Sequence, residues 1–215
     1  MNIETKNLSV KYKNKKILNG INFRLQKGEK VFLLGPNGSG KSTFAKALLG
    51  LIDFEGEIYF KKKRLSSKKD FFSIYKHINY VFQNPNEQLF MPTVLDELLF
   101  GALNFGFSLK DAQKKVDYYL EYFDIKYLKN AYIHELSGGE KRIIAICSIL
   151  IFEPDILILD EPTNDLDLKK IGKLFEFLRE TNKGILFITH HNYALKTFKN
   201  WKKYYLFNGN LKEIK

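Results

Sequence analysis

The chain has 215 residues, 45% of them hydrophobic and 27% charged. That is the balance of a folded domain with at most an inserted subdomain, and it excludes disordered, collagen-like and disulfide-stapled classes. The net charge of +11 comes from lysine, because the only arginines are Arg24, Arg64, Arg142 and Arg179; base reading and bidentate phosphate binding favour arginine, so we read a solvated lysine-rich surface and expect no nucleic-acid partner.

The segment Met1-Asn2-Ile3-Glu4-Thr5-Lys6 has no apolar core, so no signal peptide is expected. Short alternating runs at Leu8-Val10-Tyr12, Ile17-Leu18, Ile21-Phe23-Leu25 and Ile58-Phe60 predict strands of a partly antiparallel sheet. Val31-Phe32-Leu33-Leu34 is continuously apolar and predicts a strand buried on both faces, followed by a helix over 42–51. Lys61-Lys62-Lys63-Arg64, with Ser66-Ser67-Lys68-Lys69, reads as a surface loop.

Helical spacing of Ala112, Val116, Leu120, Phe123, Tyr127 and Leu128 predicts helix over 108–130, with Ser108 and Asp111 as a capping box. A second helix is expected from Glu140 to about Phe152, with the single cysteine, Cys147, in its core; one cysteine forms no internal disulfide and gives no sign of an oxidising compartment. The longest nearly apolar run, Ile143 to Phe152, has 10 residues, where a membrane-spanning helix needs about 20. Ile156 to Leu159 and Ile185 to Thr189 predict buried strands separated by a helix near 171–180. Asn208-Gly209 between two alternating runs predicts a hairpin turn. No internal repeat is seen.

Gly35-Pro36-Asn37-Gly38-Ser39-Gly40-Lys41-Ser42-Thr43 fits G-x-x-x-x-G-K-[ST], between a buried strand and a helix. Glycines let backbone N–H groups close around phosphate oxygens. Lys41 supplies a point charge at the β- and γ-phosphates, the Ser42 hydroxyl a Mg²⁺ ligand, and the helix N-terminus about half a positive charge. Asp160 and Glu161 follow an apolar strand, at the end where parallel sheets bind ligands. Asp160 is a candidate for the Mg²⁺ shell, and Glu161 for polarising an attacking water.

One further segment separates the P-loop classes. Leu136-Ser137-Gly138-Gly139-Glu140-Lys141-Arg142 resembles the signature of ATP-binding-cassette (ABC) ATPases; a P-loop kinase leaves this segment unexplained. The resemblance covers essentially the whole chain. It implies an α/β P-loop NTPase core of ABC type, with an antiparallel β subdomain and an inserted α-helical signature subdomain. In one domain, 1–83 and 151–215 would form the nucleotide-binding core and about 84–150 the helical subdomain.

The resemblance also implies ATP hydrolysis with Mg²⁺, and roles for further residues. Tyr12 would stack on adenine, and Gln83 would reach Mg²⁺ and water and couple the site to a membrane partner. Ser137, Gly138, Gly139 and Glu140 would cap the ATP of a second subunit in a head-to-tail dimer. Asp167 would anchor the loop Asn164-Asp165-Leu166-Asp167 against that subunit, and His190 would face the γ-phosphate as a switch. The departures are Glu140 for the commoner glutamine, His191 for an aspartate and Leu168 for a proline. Glu140 brings negative charge near phosphate and is expected to weaken the ATP contact. His77 and His134 are given no role.

Val81-Phe82-Gln83-Asn84-Pro85-Asn86-Glu87-Gln88-Leu89-Phe90-Met91-Pro92-Thr93-Val94, with Phe100-Gly101 and Leu103-Asn104-Phe105-Gly106, is similar to the ATPases of energy-coupling-factor importers. That implies a peripheral subunit on the cytoplasmic face of the membrane. It would work with a T-type scaffold subunit and an S-type capture subunit, taking up cobalt, nickel or a vitamin such as biotin. Ending soon after the last hairpin, the chain reads as a compact member. The alternatives are the ATPase of another ABC transporter class, or a soluble ABC ATPase acting on nucleic acid or ribosomes; the paired cassettes or long coiled coils of the soluble class do not fit this length.

Overall fold

The computed structural model describes residues 1–13 and 15–214. They form two compact units: residues 1–80, 155–161 and 182–215 make one, and residues 81–154 and 162–181 the other.

The first unit carries two sheets. One is antiparallel, in the order β2-β1-β4-β5, built from β1 (Asn2–Tyr12), β2 (Lys15–Gln26), β4 (Glu55–Phe60) and β5 (Lys63–Leu65). The other runs β10-β9-β3-β8-β7-β6, from β3 (Lys30–Leu34), β6 (Ile78–Val81), β7 (Ile156–Asp160), β8 (Gly184–Ile188), β9 (Lys202–Phe207) and β10 (Asn210–Ile214). β7, β8, β3 and β9 are mutually parallel. Every residue of β7 and β8 is buried, as expected for parallel strands covered on both faces. Asn208 (φ +48°) and Gly209 (φ +74°) both take the left-handed backbone that a two-residue hairpin turn demands, so β9 and β10 pair as predicted.

Two expectations for this unit change for local reasons. α1 (Lys41–Leu48) ends before Leu51 because Gly50 turns left-handed (φ +64°), with Gly50 N–H donating to Ala47 O and Leu51 N–H to Lys46 O; this is a Schellman stop. The lysine run is a hairpin and not a loop: Lys61 and Lys62 form a turn at positive φ, and Lys63-Arg64-Leu65 return as β5. Ser67 then caps α2 (Lys68–Ile74) in a full capping box with Asp70. That short helix has too few turns to show a period.

The second unit is helical, with α3 (Val94–Asn104), α4 (Leu109–Tyr122), α5 (Gly138–Leu150) and α6 (Leu168–Glu180). α4 stops at Tyr122 and not near residue 130. Asp124 at φ +57° closes another Schellman stop, in which buried Ile125 donates to Leu120 O at 2.8 Å. Tyr127 and Leu128 continue the apolar spacing only as a 3-10 turn. Ser108 caps α4 through Asp111 N–H, while its own hydroxyl donates to the Asp111 carboxylate at 2.7 Å. Cys147 is fully buried in α5, and burial raises its thiol pKa. No helix of the described residues is long and apolar enough to cross a membrane. A short α7 (Asn192–Thr197) completes the first unit.

Candidate active site

The loop from β3 to α1 is shaped by glycine. Gly35 (φ +149°) admits no side chain: a Cβ there would stand 2.3 Å from Leu206 O and 2.8 Å from Ser39 Oγ. Gly38 and Gly40 also have positive φ. Pro36 and Asn37 are exposed, and Thr43 is half-buried in the first turn of α1. Lys41 is buried, and its ammonium donates to Gly35 O at 2.8 Å and Pro36 O at 3.1 Å. Burial lowers its pKa, against the opposing pull of Glu161 and Asp160.

Three features fit a polyphosphate. Ser39 Oγ is buried without a hydrogen-bond partner. No side chain caps α1, so none competes for its first N–H groups. The Gly35 backbone lies where no Cβ fits. The donor set for Mg²⁺ fits as well, since the Ser42 hydroxyl is hydrogen-bonded to the Asp160 carboxylate and both offer hard oxygen.

Asp160 is the last residue of β7, in register with Ile188 at the end of β8, and Glu161 follows it. Asp160 is 1% exposed and accepts from Tyr80 OH at 2.8 Å. Burial holds its pKa above the ordinary carboxylate value although Ser42 and Tyr80 pull it down. Glu161 lies just past the strand at φ +48°, a conformation that costs a non-glycine residue roughly 1–3 kcal/mol. Three contacts hold it there. Its N–H donates to Ile188 O at 2.9 Å, Oε2 accepts from Thr189 Oγ1 at 3.0 Å, and Oε1 lies 2.6 Å from His190 Nδ1. The left-handed turn aims Glu161 away from Asp160, so adjacent carboxylates have different partners. The His190 side chain is 45% exposed while Glu161 is buried.

The structure therefore gathers Lys41, Ser42, Asp160, Glu161 and His190 in the first unit. Tyr12 belongs to that unit too, exposed at the end of β1 in register with Lys15. Gln83, Ser137 to Glu140 and Asp167 belong to the second unit. There Ser137 caps α5, and Glu140 completes the box. Glu140 Oε2 accepts from Ser137 N–H at 2.9 Å and from its hydroxyl at 2.7 Å, and Oε1 accepts from Tyr127 OH at 3.1 Å. These donors, led by Ser137, lower the Glu140 pKa. Gly139 is required by close packing, since a Cβ would meet Asp165 O at 2.4 Å. Asp167 caps α6, accepting from Lys170 N–H and from its ammonium. Gln83 is exposed, and its carbonyl accepts from buried Arg142 of α5, which also donates to Phe82 O at 2.8 Å.

Sequence reasoning missed Tyr80, Thr189 and Arg142. Tyr80 lies on β6 and Thr189 just past β8, while their partners lie at or just past the end of β7, so no local spacing marks them. Arg142 had a faint signal, a rare arginine immediately before the apolar run of α5.

Residues 18–164 match the sequence model of the family described as ABC transporter. The chain belongs to the ABC transporter family. It is 37% identical over 214 residues to the energy-coupling factor transporter ATP-binding protein EcfA of Methanocaldococcus jannaschii, covering 97% of this chain and 77% of that relative. Among solved structures, cbiO1 of Clostridium perfringens, part of the ABC transporter complex cbiONQ, superposes with TM-score 0.82 at 32% identity, covering 98% of this chain and 86% of that one. The ATP-binding cassette MJ0796, as a post-hydrolysis dimer bound to ADP and phosphate, superposes with TM-score 0.86 at 26% identity, covering 99% of each chain. The expected ABC-type α/β fold holds, and the chain is an ATP-binding ABC ATPase.

Proposed function

We propose that this ATPase powers an energy-coupling-factor type importer from the cytoplasmic face of the membrane. It would work as a dimer, with T-type and S-type membrane subunits docking near Gln83 and the helical unit. The observation that carries the catalytic half is the Glu161 carboxylate, buried, held by Thr189 and His190, and next in sequence to Asp160. The importer half rests on the relatives named EcfA and cbiO1. The cargo in this reading, taken from the sequence's resemblance to that importer class, is cobalt or nickel, or a vitamin such as biotin.

Lys41 leaves the loop carbonyls for the β- and γ-phosphates, while the loop N–H groups and Ser39 hold the polyphosphate. Ser42, Asp160 and Gln83 would hold Mg²⁺, which when bound offsets phosphate charge. Glu161 takes the proton of the water that attacks the γ-phosphorus, and His190 keeps its carboxylate aligned. Tyr12 stacks on the adenine. The loop at Lys41 wraps one side of the triphosphate, and Ser137, Gly138 and Gly139 form a second anion site at the start of α5. A second copy supplies that site, with Asp167 at the seam.

The test is Glu161→Gln, with ATP binding and hydrolysis measured together. The variant should keep nucleotide affinity, lose at least about 100-fold in turnover, and accumulate an ATP-bound dimer by light scattering. Hydrolysis at the wild-type rate would end the assignment of Glu161. Co-purification with membrane subunits, followed by metal and vitamin uptake in vesicles, tests the importer class.

A further inference from the structure

His191 has no part in the hydrolytic reading, yet it stands beside that machinery. Ligand atoms of Glu161, His190 and His191 all lie within 4.8 Å of one another. The two imidazole rings are 4.1 Å apart between centroids and tilted by 35°. One residue braces both ends of this cluster. Thr189, fully buried, donates its hydroxyl to Glu161 Oε2 at 3.0 Å and accepts the His191 backbone N–H at 3.0 Å. The first bond orients the Glu161 carboxylate, as neighbouring groups orient metal ligands; the second fixes the backbone from which the His191 side chain springs.

Two imidazoles and one carboxylate suit Zn²⁺, Co²⁺ or Ni²⁺, whereas Mg²⁺ prefers an all-oxygen shell. A tetrahedral ion with bonds of about 2.0–2.1 Å holds its ligand atoms roughly 3.3 Å apart. The Glu161–His190 contact of 2.6 Å would therefore open by about 0.7 Å, within reach of small torsions in a half-exposed histidine. The ion would take the place of the hydrogen bond between Nδ1 and Oε1. Lys41 opposes a cation at this place and Asp160 favours one; both charges are close enough to interact.

We infer that Glu161, His190 and His191 form a binding site for a first-row transition-metal dication, and that filling it halts ATP hydrolysis. Binding stands on the geometry alone. The inhibition rests on the reading of Glu161 as the base, because a coordinated carboxylate no longer accepts the proton of water.

The experiment uses the full chain freed of any polyhistidine tag. Co²⁺ is titrated without nucleotide or Mg²⁺, following its visible d–d bands, and Zn²⁺ inhibition is measured in the Mg²⁺-ATPase assay. Wild type should bind one Co²⁺ with tetrahedral bands. His191→Ala should bind at least about ten-fold more weakly, keep its metal-free ATPase rate, and resist Zn²⁺ by a similar factor. His191→Asp, which restores a ligand, should recover much of both. Equal Co²⁺ affinity in wild type and His191→Ala overturns the site. Equal Zn²⁺ sensitivity in the two overturns the inhibition through it and points to displacement of Mg²⁺. Co²⁺ binding that depends on His191 with no inhibition upholds the site and overturns Glu161 as the base.

Discussion

Two glycines in helices of the same unit should respond to alanine with opposite signs. Gly139, in the first turn of α5, faces Asp165 O, and a Cβ would come to 2.4 Å of it. Ordinary van der Waals contact begins near 3.4 Å, so the overlap is about 1 Å. The obstacle is backbone, in a loop where Asp165 already holds φ +63°, and it cannot rotate away like a side chain. Overpacking of this kind costs roughly 1–3 kcal/mol, and at about 2–4 °C per kcal/mol the melting temperature of Gly139→Ala should fall by roughly 2–12 °C. Gly172 is exposed within α6, and a methyl group added to it would meet nothing within 4 Å. There Gly172→Ala gains about 0.5–1 kcal/mol of helix stability and should raise the melting temperature by roughly 1–4 °C. Differential scanning calorimetry of the nucleotide-free protein reads both. Shifts of the same sign, or no change at Gly139, would refute the packing argument at the signature helix.

Asp160→Asn should stabilise the nucleotide-free protein while abolishing turnover. Burial raises the Asp160 pKa in the folded state, so the native state holds the proton more tightly than the unfolded chain. This group's contribution to stability is then full below the ordinary carboxylate pKa and is lost as pH rises through the folded value; melting curves across the acidic range should show that slope in wild type and not in the variant. Lys41→Ala should weaken ATP binding by about 10- to 100-fold, from the loss of one charged hydrogen-bonding group, measured by fluorescent-nucleotide titration. Ser137→Arg should leave ATP binding to the single chain near wild type yet abolish the ATP-dependent dimer by light scattering; normal dimerisation would refute the second anion site.

The phosphate loop, Asp160 and Glu161 were legible in the sequence because each is a short string whose chemistry depends on immediate neighbours. The buried strands were legible for the same reason: parallel strands covered on both faces are apolar without interruption. The ends of α1 and α4 were less so, since Gly50 and Asp124 stop the helices through backbone conformation while apolar spacing runs on. The partners of the catalytic candidates were not legible. Tyr80 reaches Asp160 across the sheet, and Thr189 ties Glu161 to the His191 backbone. Arg142 fastens the backbone at Gln83 from a helix nearly sixty residues away. Sequence encodes which groups exist and their local geometry; only tertiary structure decides which groups from distant strands share a buried site, because hydrogen bonds and desolvation act through space and not along the chain.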